Sequence, residues 1–79
     1  MALSADAQKM LLHIWNEINS TEKGTAERVN LMSFGYTLDQ VDTLIAELKR
    51  NGLVEVDSYV SSPIILTSDG ISQVEKQQG

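Results

Sequence analysis

The stretch NGLVEVDSYVSSPIILTSDGISQ, residues 51–73, carries two short runs of β-strand character followed by the start of a helix. Apolar and acidic residues alternate in LVEVD, and PIIL is compact and β-branched. Two such runs separated by a loop are typical of an antiparallel hairpin. Thr67 is suited to cap a last short helix, in which Ile71 and Val74 are the expected buried contacts. The stretch therefore predicts a hairpin that leads into a helix.

The residues before the hairpin predict a long helix with a defined start and end. Thr37 and Gln40 can form a capping box, in which each side chain satisfies a free backbone N–H group. Gly52 stands where a left-handed C-cap residue belongs, and Leu53 can then contact Leu48 as in a Schellman motif. One apolar stripe marks the side of this helix that we expect to be buried: Leu38, Val41, Leu44, Ile45 and Leu48.

Two further helices are predicted nearer the start of the chain. Ser4 is a suitable N-cap for the first helix, and Thr25 for a shorter second helix that ends at Gly35. The apolar face of the first helix comprises Ala7, Met10, Leu11, Ile14, Trp15 and Ile18. The expected buried side of the second helix comprises Ala26, Val29 and Met32, with Leu31 as a further candidate.

The order of helix, helix, helix, strand, strand and helix resembles that of a winged helix-turn-helix domain. Two segments carry the resemblance: GYTLDQVDTLIAELKRNGLVEV is similar to a third helix that runs into the first wing strand, and IILTSDG to the second wing strand and the start of the last helix. The resemblance implies a mostly α domain with a small β ribbon (α+β) over residues 1–79. Its third or recognition helix would span about 38–51, its wing about 53–66 and its last helix about 68–77.

Composition restricts the class of protein. The 79 residues suffice for one small domain, and 42% apolar residues with no long apolar run favour a folded chain that has no membrane partner. There is no cysteine and a single histidine, so we expect no zinc site, and no motif for catalysis, a metal or a cofactor occurs. The start of the chain has no pattern of an export signal, so we expect a cytoplasmic, non-enzymatic protein.

The resemblance implies binding of double-stranded DNA in transcription regulation, because the third helix of such domains commonly enters the major groove. The residues that would contact bases or phosphates are Gln40, Thr43, Ala46, Lys49 and Arg50 of the third helix, together with Arg28. DNA binding is the first hypothesis because of the family resemblance alone.

Charge favours another class of function, a protein-interaction module on the same scaffold. The chain has a formal net charge of −5, and residues 37–66 hold five acids against two bases. Such a surface repels phosphates and would suit a basic or mixed protein partner. The residues expected to contact that partner are Asp39, Asp42, Glu47 and Tyr59. A homodimer through the last helix is a further arrangement that the sequence leaves open.

Aromatic side chains and the single histidine are expected to have structural roles. His13 projects to the polar side of the first helix, which predicts a solvated surface residue. Trp15 lies at the edge of the apolar face and is predicted to be partly buried in the core, with an interface anchor as the alternative. Phe34 and Tyr36 flank Gly35 and are predicted to fill the core between the second and third helices.

Overall fold

The structure is a computed structural model that describes residues 3–57 and 62–78. Within these ranges the protein is mostly helical, with one small antiparallel sheet of two strands. The elements follow the predicted order: α1 (Ala5–Ser20), α2 (Arg28–Met32), α3 (Leu38–Arg50), β1 (Val54–Glu55), β2 (Ile65–Leu66) and α4 (Ser68–Gln78). In the part of the chain that the structure describes, no helix has the length and hydrophobicity needed to cross a membrane.

α1 forms as its sequence predicts. The Ser4 hydroxyl accepts a hydrogen bond from the Ala7 N–H group at 3.1 Å, which satisfies one of the free donors at the helix start. The predicted apolar face is fully buried at Ala7, Met10, Leu11 and Ile14, while Trp15 and Ile18 are half-buried and pack against that core. The prediction that Trp15 belongs to the edge of the core is confirmed.

α2 is shorter than predicted and has a different buried face. It starts at Arg28, because Ala26 is extended and pairs with Ile64, exchanging backbone hydrogen bonds of 2.9 and 2.7 Å. The predicted cap at Thr25 is therefore wrong. Val29, predicted to be buried, is 65% exposed, whereas Leu31 is fully buried. The pairing with Ile64 fixes where α2 can begin, and this start turns Arg28 and Leu31 inward.

The two ends of α3 are the motifs that the sequence predicts. At the start, Gln40 N–H donates to the Thr37 hydroxyl at 3.2 Å and Thr37 N–H donates to Gln40 Oε1 at 2.8 Å. At the end, Gly52 has a φ of 73°, and Leu53 N–H donates to the Leu48 carbonyl at 3.0 Å. The capping box and the Schellman motif are both confirmed.

The strand pair and α4 are joined by contacts that require a glycine. Val54 pairs with Leu66 in the antiparallel register, and the Thr67 hydroxyl caps α4 by accepting from Gly70 N–H at 3.0 Å. Gly70 and Val74, one turn apart, form the buried side of this helix. Ile71 is 38% exposed, so its predicted burial is wrong. A residue next to Gly70 is rotated by about 100° away from the buried side.

One hydrophobic core connects all of these elements. α1 packs against α2, α3 and α4, and α3 also packs against β1. The side chains that are fully buried and largest come from every helix and from the bridge to residue 26: Met10, Leu11, Ile14, Leu31, Val41, Ile45, Leu48, Ile64 and Val74. This packing holds the inner face of α3 against the core and leaves its opposite face exposed.

Candidate binding surface

The outer face of α3 is the exposed side of the predicted recognition helix. Burial of Val41, Ile45 and Leu48 fixes the rotation of the helix, and the opposite side chains then point to solvent. We define the outer face as the opposite residues Asp39, Thr43, Ala46 and Arg50 together with Lys49 on the flank, all of which are exposed. The structure thus brings together four of the six predicted nucleic-acid contacts, with one predicted partner contact among them.

Two of the predicted nucleic-acid contacts on α3 already have partners within the protein. Gln40 is exposed, but its side-chain oxygen accepts the capping hydrogen bond from Thr37. Lys49 Nζ donates to the Val56 carbonyl at 2.9 Å, which links the end of α3 to the residue after β1. Using Lys49 for a phosphate would therefore require this hydrogen bond to be exchanged.

Arg28 is not on the exposed surface where a phosphate contact was predicted. Arg28 is 7% exposed, and its Nε lies 2.8 Å from Asp42 Oδ1 in a salt bridge. Its Nη2 also donates to the Asp57 carbonyl at 3.5 Å. Arg28 thereby connects α2, α3 and the segment after β1. Burial at the start of α2 is the physical reason, because the inward-facing position one turn before Leu31 belongs to Arg28.

The predicted acidic contacts differ in how far they are already satisfied. Asp42 is paired with Arg28, and its side chain is 44% exposed. Glu47 accepts from the Ser4 N–H group at 2.8 Å and from the Ser4 hydroxyl at 3.0 Å, joining α3 to the start of α1. Tyr59 lies outside the described residues. Among the predicted partner contacts in residues 3–57, Asp39 has no hydrogen bond or ion pair with a described residue.

The hydrogen bonds at Glu47 also affect its acidity. The backbone and side-chain hydrogen bonds from Ser4, in that order, stabilise the charged carboxylate and lower the pKa of Glu47. Loss of solvation acts in the opposite direction, and the positive charge of Arg50 lowers the pKa further. Glu47 is therefore ionised at neutral pH and is bound to the N-cap of α1.

A cleft between the start of α1 and the first half of α3 was not predicted. It has a volume of about 470 Å³, and we call it the α1–α3 cleft; its lining residues are Asp6, Gly35, Tyr36, Asp39, Gln40, Thr43 and Leu44. Asp6 is the functional candidate that sequence reasoning missed. It lies 33 positions before Asp39, and neither the period of a helix nor a motif connects the two residues.

His13 and two aromatic residues form a cluster beside the turn after α2. The His13 ring stacks on Phe34 with ring centroids 4.2 Å apart, and Tyr36 meets its edge at 5.8 Å. The prediction of a solvated histidine is therefore wrong, because the ring is half-buried by these aromatic groups. Phe34 is 46% exposed and is not a core residue, whereas Tyr36 is half-buried and packs against the core.

The burial of His13 predicts a loss of stability in mild acid. Desolvation, followed by the positive charge of Lys9, lowers the pKa of His13 below its usual 6.5. The unfolded chain therefore binds the proton more tightly, so this contribution to stability is present above pH 6.5 and is lost as the pH falls below it. Urea unfolding at about pH 7.5 and about pH 5.5 should show a larger loss for the wild type than for His13→Gln. Equal losses of stability in the wild type and in His13→Gln would contradict the lowered pKa of His13.

Comparison with known proteins adds no relative to this description. No protein-family model matches the chain, and no curated protein or solved structure matches it significantly.

Proposed function

We propose that this chain is a non-enzymatic winged-helix binding module that recognises another protein through the outer face of α3. Support for the winged-helix part comes from the element order and from the position of the β1–β2 pair immediately after α3. The bridge between Ala26 and Ile64 adds a third short segment to that pair. In such a domain α3 is the recognition helix and the β1–β2 pair is the base of the wing.

The choice of a protein partner instead of DNA rests on the burial of Arg28. Its guanidinium is nearly buried and is paired with Asp42, so it is not presented to a phosphate at the surface. The exposed charges that remain on α3, on β1 and just after β1 are Asp39, Lys49, Arg50, Glu55 and Asp57. A surface with this balance provides little of the counterion release that supports DNA affinity. Binding of a protein partner with basic or polar groups does not depend on counterion release, and these acids do not repel such a partner.

Double-stranded DNA is the second candidate, and a specific observation favours it. Lys49 and Arg50 are adjacent and exposed at the end of α3 that lies beside β1. Ala46 and Thr43 are exposed on the same face, one and two turns before them respectively. In this arrangement the two cations would contact phosphates while Thr43 faced a base edge.

The proposed surface is tested by a variant that adds bulk and positive charge at its centre. Ala46→Arg should abolish binding of a partner that is captured from lysate, identified and then purified for titration against this protein. Ser72→Arg is the matched control, because Ser72 is exposed on α4, a helix that packs chiefly against α1 and β2. Equal affinity of the two variants for the purified partner would contradict the proposed surface. Tighter binding of Ala46→Arg to duplex DNA, with no protein partner affected, would favour the second candidate.

A further inference from the structure

The α1–α3 cleft borders the outer face of α3 and shares Asp39 and Thr43 with it. We propose that this cleft receives one lysine or arginine side chain of the protein partner, held between Asp6 and Asp39. The inference rests on the proposed function and specifies the chemistry of its partner. It would make the cleft the part of the surface that selects a basic residue.

Charge complementarity is the first ground for this occupant. Asp6 and Asp39 are exposed, and neither lies within 4.0 Å of a cationic nitrogen in the part of the chain that the structure describes. Asp42, by contrast, has such a partner in Arg28, and the carboxylate of Glu47 is held by Ser4. The two carboxylates of the cleft are thus the ones that an incoming cation can use.

The walls of the cleft supply the second ground. Tyr36 and Leu44 are half-buried and pack against the core, so they present a fixed aromatic and aliphatic surface. The stem of lysine or arginine packs on such a surface while its charged end stays near carboxylates or over an aromatic ring. Gln40 and Thr43 add polar groups at the rim. A cleft of about 470 Å³ accommodates one long side chain with accompanying water.

Other occupants fit these residues less well. A nucleic-acid phosphate would be repelled by both carboxylates. A calcium ion requires about six to eight oxygen ligands, and the described residues contain no group of three or more acidic, histidine or cysteine side chains placed to hold a metal. A lysine or arginine side chain needs only the two carboxylates and an apolar wall.

The experiment is a titration of the isotope-labelled protein, followed by NMR amide shifts, with a five-residue blocked peptide that has lysine at its centre and alanine elsewhere. The lysine peptide should cause saturable shifts at Gly35, Asp39 and Thr43, and a peptide with norleucine in place of lysine should not. Asp39→Asn should weaken binding by about two- to fivefold, within the range for loss of one exposed ion pair. Asp69→Asn, which removes an exposed acid from α4, should leave the affinity unchanged.

Several results would overturn the inference. They are the absence of saturable shifts, equal shifts with the norleucine peptide, equal weakening by Asp69→Asn, and shifts of the same amides by calcium chloride but not by the peptide. With the purified partner, failure of this inference is distinct from failure of the proposed function. If Ala46→Arg abolishes binding and Asp6→Asn with Asp39→Asn does not weaken it, the cleft is excluded and the surface stands. If neither change weakens binding of the partner, both proposals fail.

Discussion

Replacing Gly70 by alanine is expected to destabilise the protein by about 3 kcal/mol, although alanine is the better helix former. A Cβ atom at this position would overlap the backbone carbonyl oxygen of Leu53 and lie 3.2 Å from Leu66 Cδ2. The Leu53 carbonyl cannot easily move, because it accepts a 3.0 Å hydrogen bond from Thr67 N–H. Urea unfolding measures the loss, and the melting temperature should fall by more than about 10 °C.

Ser72→Ala is the control for Gly70→Ala within the same helix. Ser72 is exposed, so its replacement should leave stability unchanged or raise it slightly through helix propensity. If Gly70→Ala also stabilised the protein, as expected for an exposed helical glycine, the close packing of α4 on Leu53 would be contradicted. The motif LTSDG therefore has a physical meaning, since Thr67 caps the helix and Gly70 permits its approach.

Replacing Asp42 by alanine is expected to destabilise the protein by about 2 kcal/mol. The change leaves the nearly buried guanidinium of Arg28 without its carboxylate partner. Loss of one partner from a fully buried ion pair costs about 3–5 kcal/mol, and water at the half-exposed Asp42 reduces that cost. The free energy of unfolding in urea, compared with that of Asp39→Ala on the same helix, gives the effect.

A double-mutant cycle isolates the contribution of the Arg28–Asp42 pair. In an Arg28→Met background the charge is already absent, so Asp42→Ala should then cost less than about 0.5 kcal/mol. The difference between the two backgrounds is the coupling energy. An equal cost in both backgrounds, or a cost no greater than that of Asp39→Ala, would show that the pair does not hold α2 against α3.

Much of the fold follows from local sequence signals. The capping box at Thr37, the C-cap at Gly52 and the stripe along α3 each involve residues no more than a few positions apart. The start of α2 could not be predicted in this way. It depends on the pairing of Ala26 with Ile64, which is 38 residues further along the chain, so local propensity placed the cap at Thr25 instead.

The position of the candidate site could be predicted from the sequence, but which of its charged residues are already paired could not. Helical period alone placed Asp39, Thr43 and Ala46 on one exposed face. Which charged residues are already paired depends on tertiary contacts, as in the bond from Ser4 to Glu47 over 43 positions. The Arg28–Asp42 pair depends on the same kind of contact and removes one cation from the predicted DNA surface.

The most direct test of the account is a titration of labelled random duplex DNA with this protein at two low salt concentrations, followed by fluorescence anisotropy. The charges around the outer face of α3 predict no saturable binding, because Lys49 and Arg50 are outnumbered there by exposed or half-exposed acids. Two to four phosphate contacts would instead give a slope of log affinity against log salt of about −2 to −4. Binding with such a slope, lost on Arg50→Glu, would contradict the proposal that the outer face of α3 recognises a protein instead of DNA.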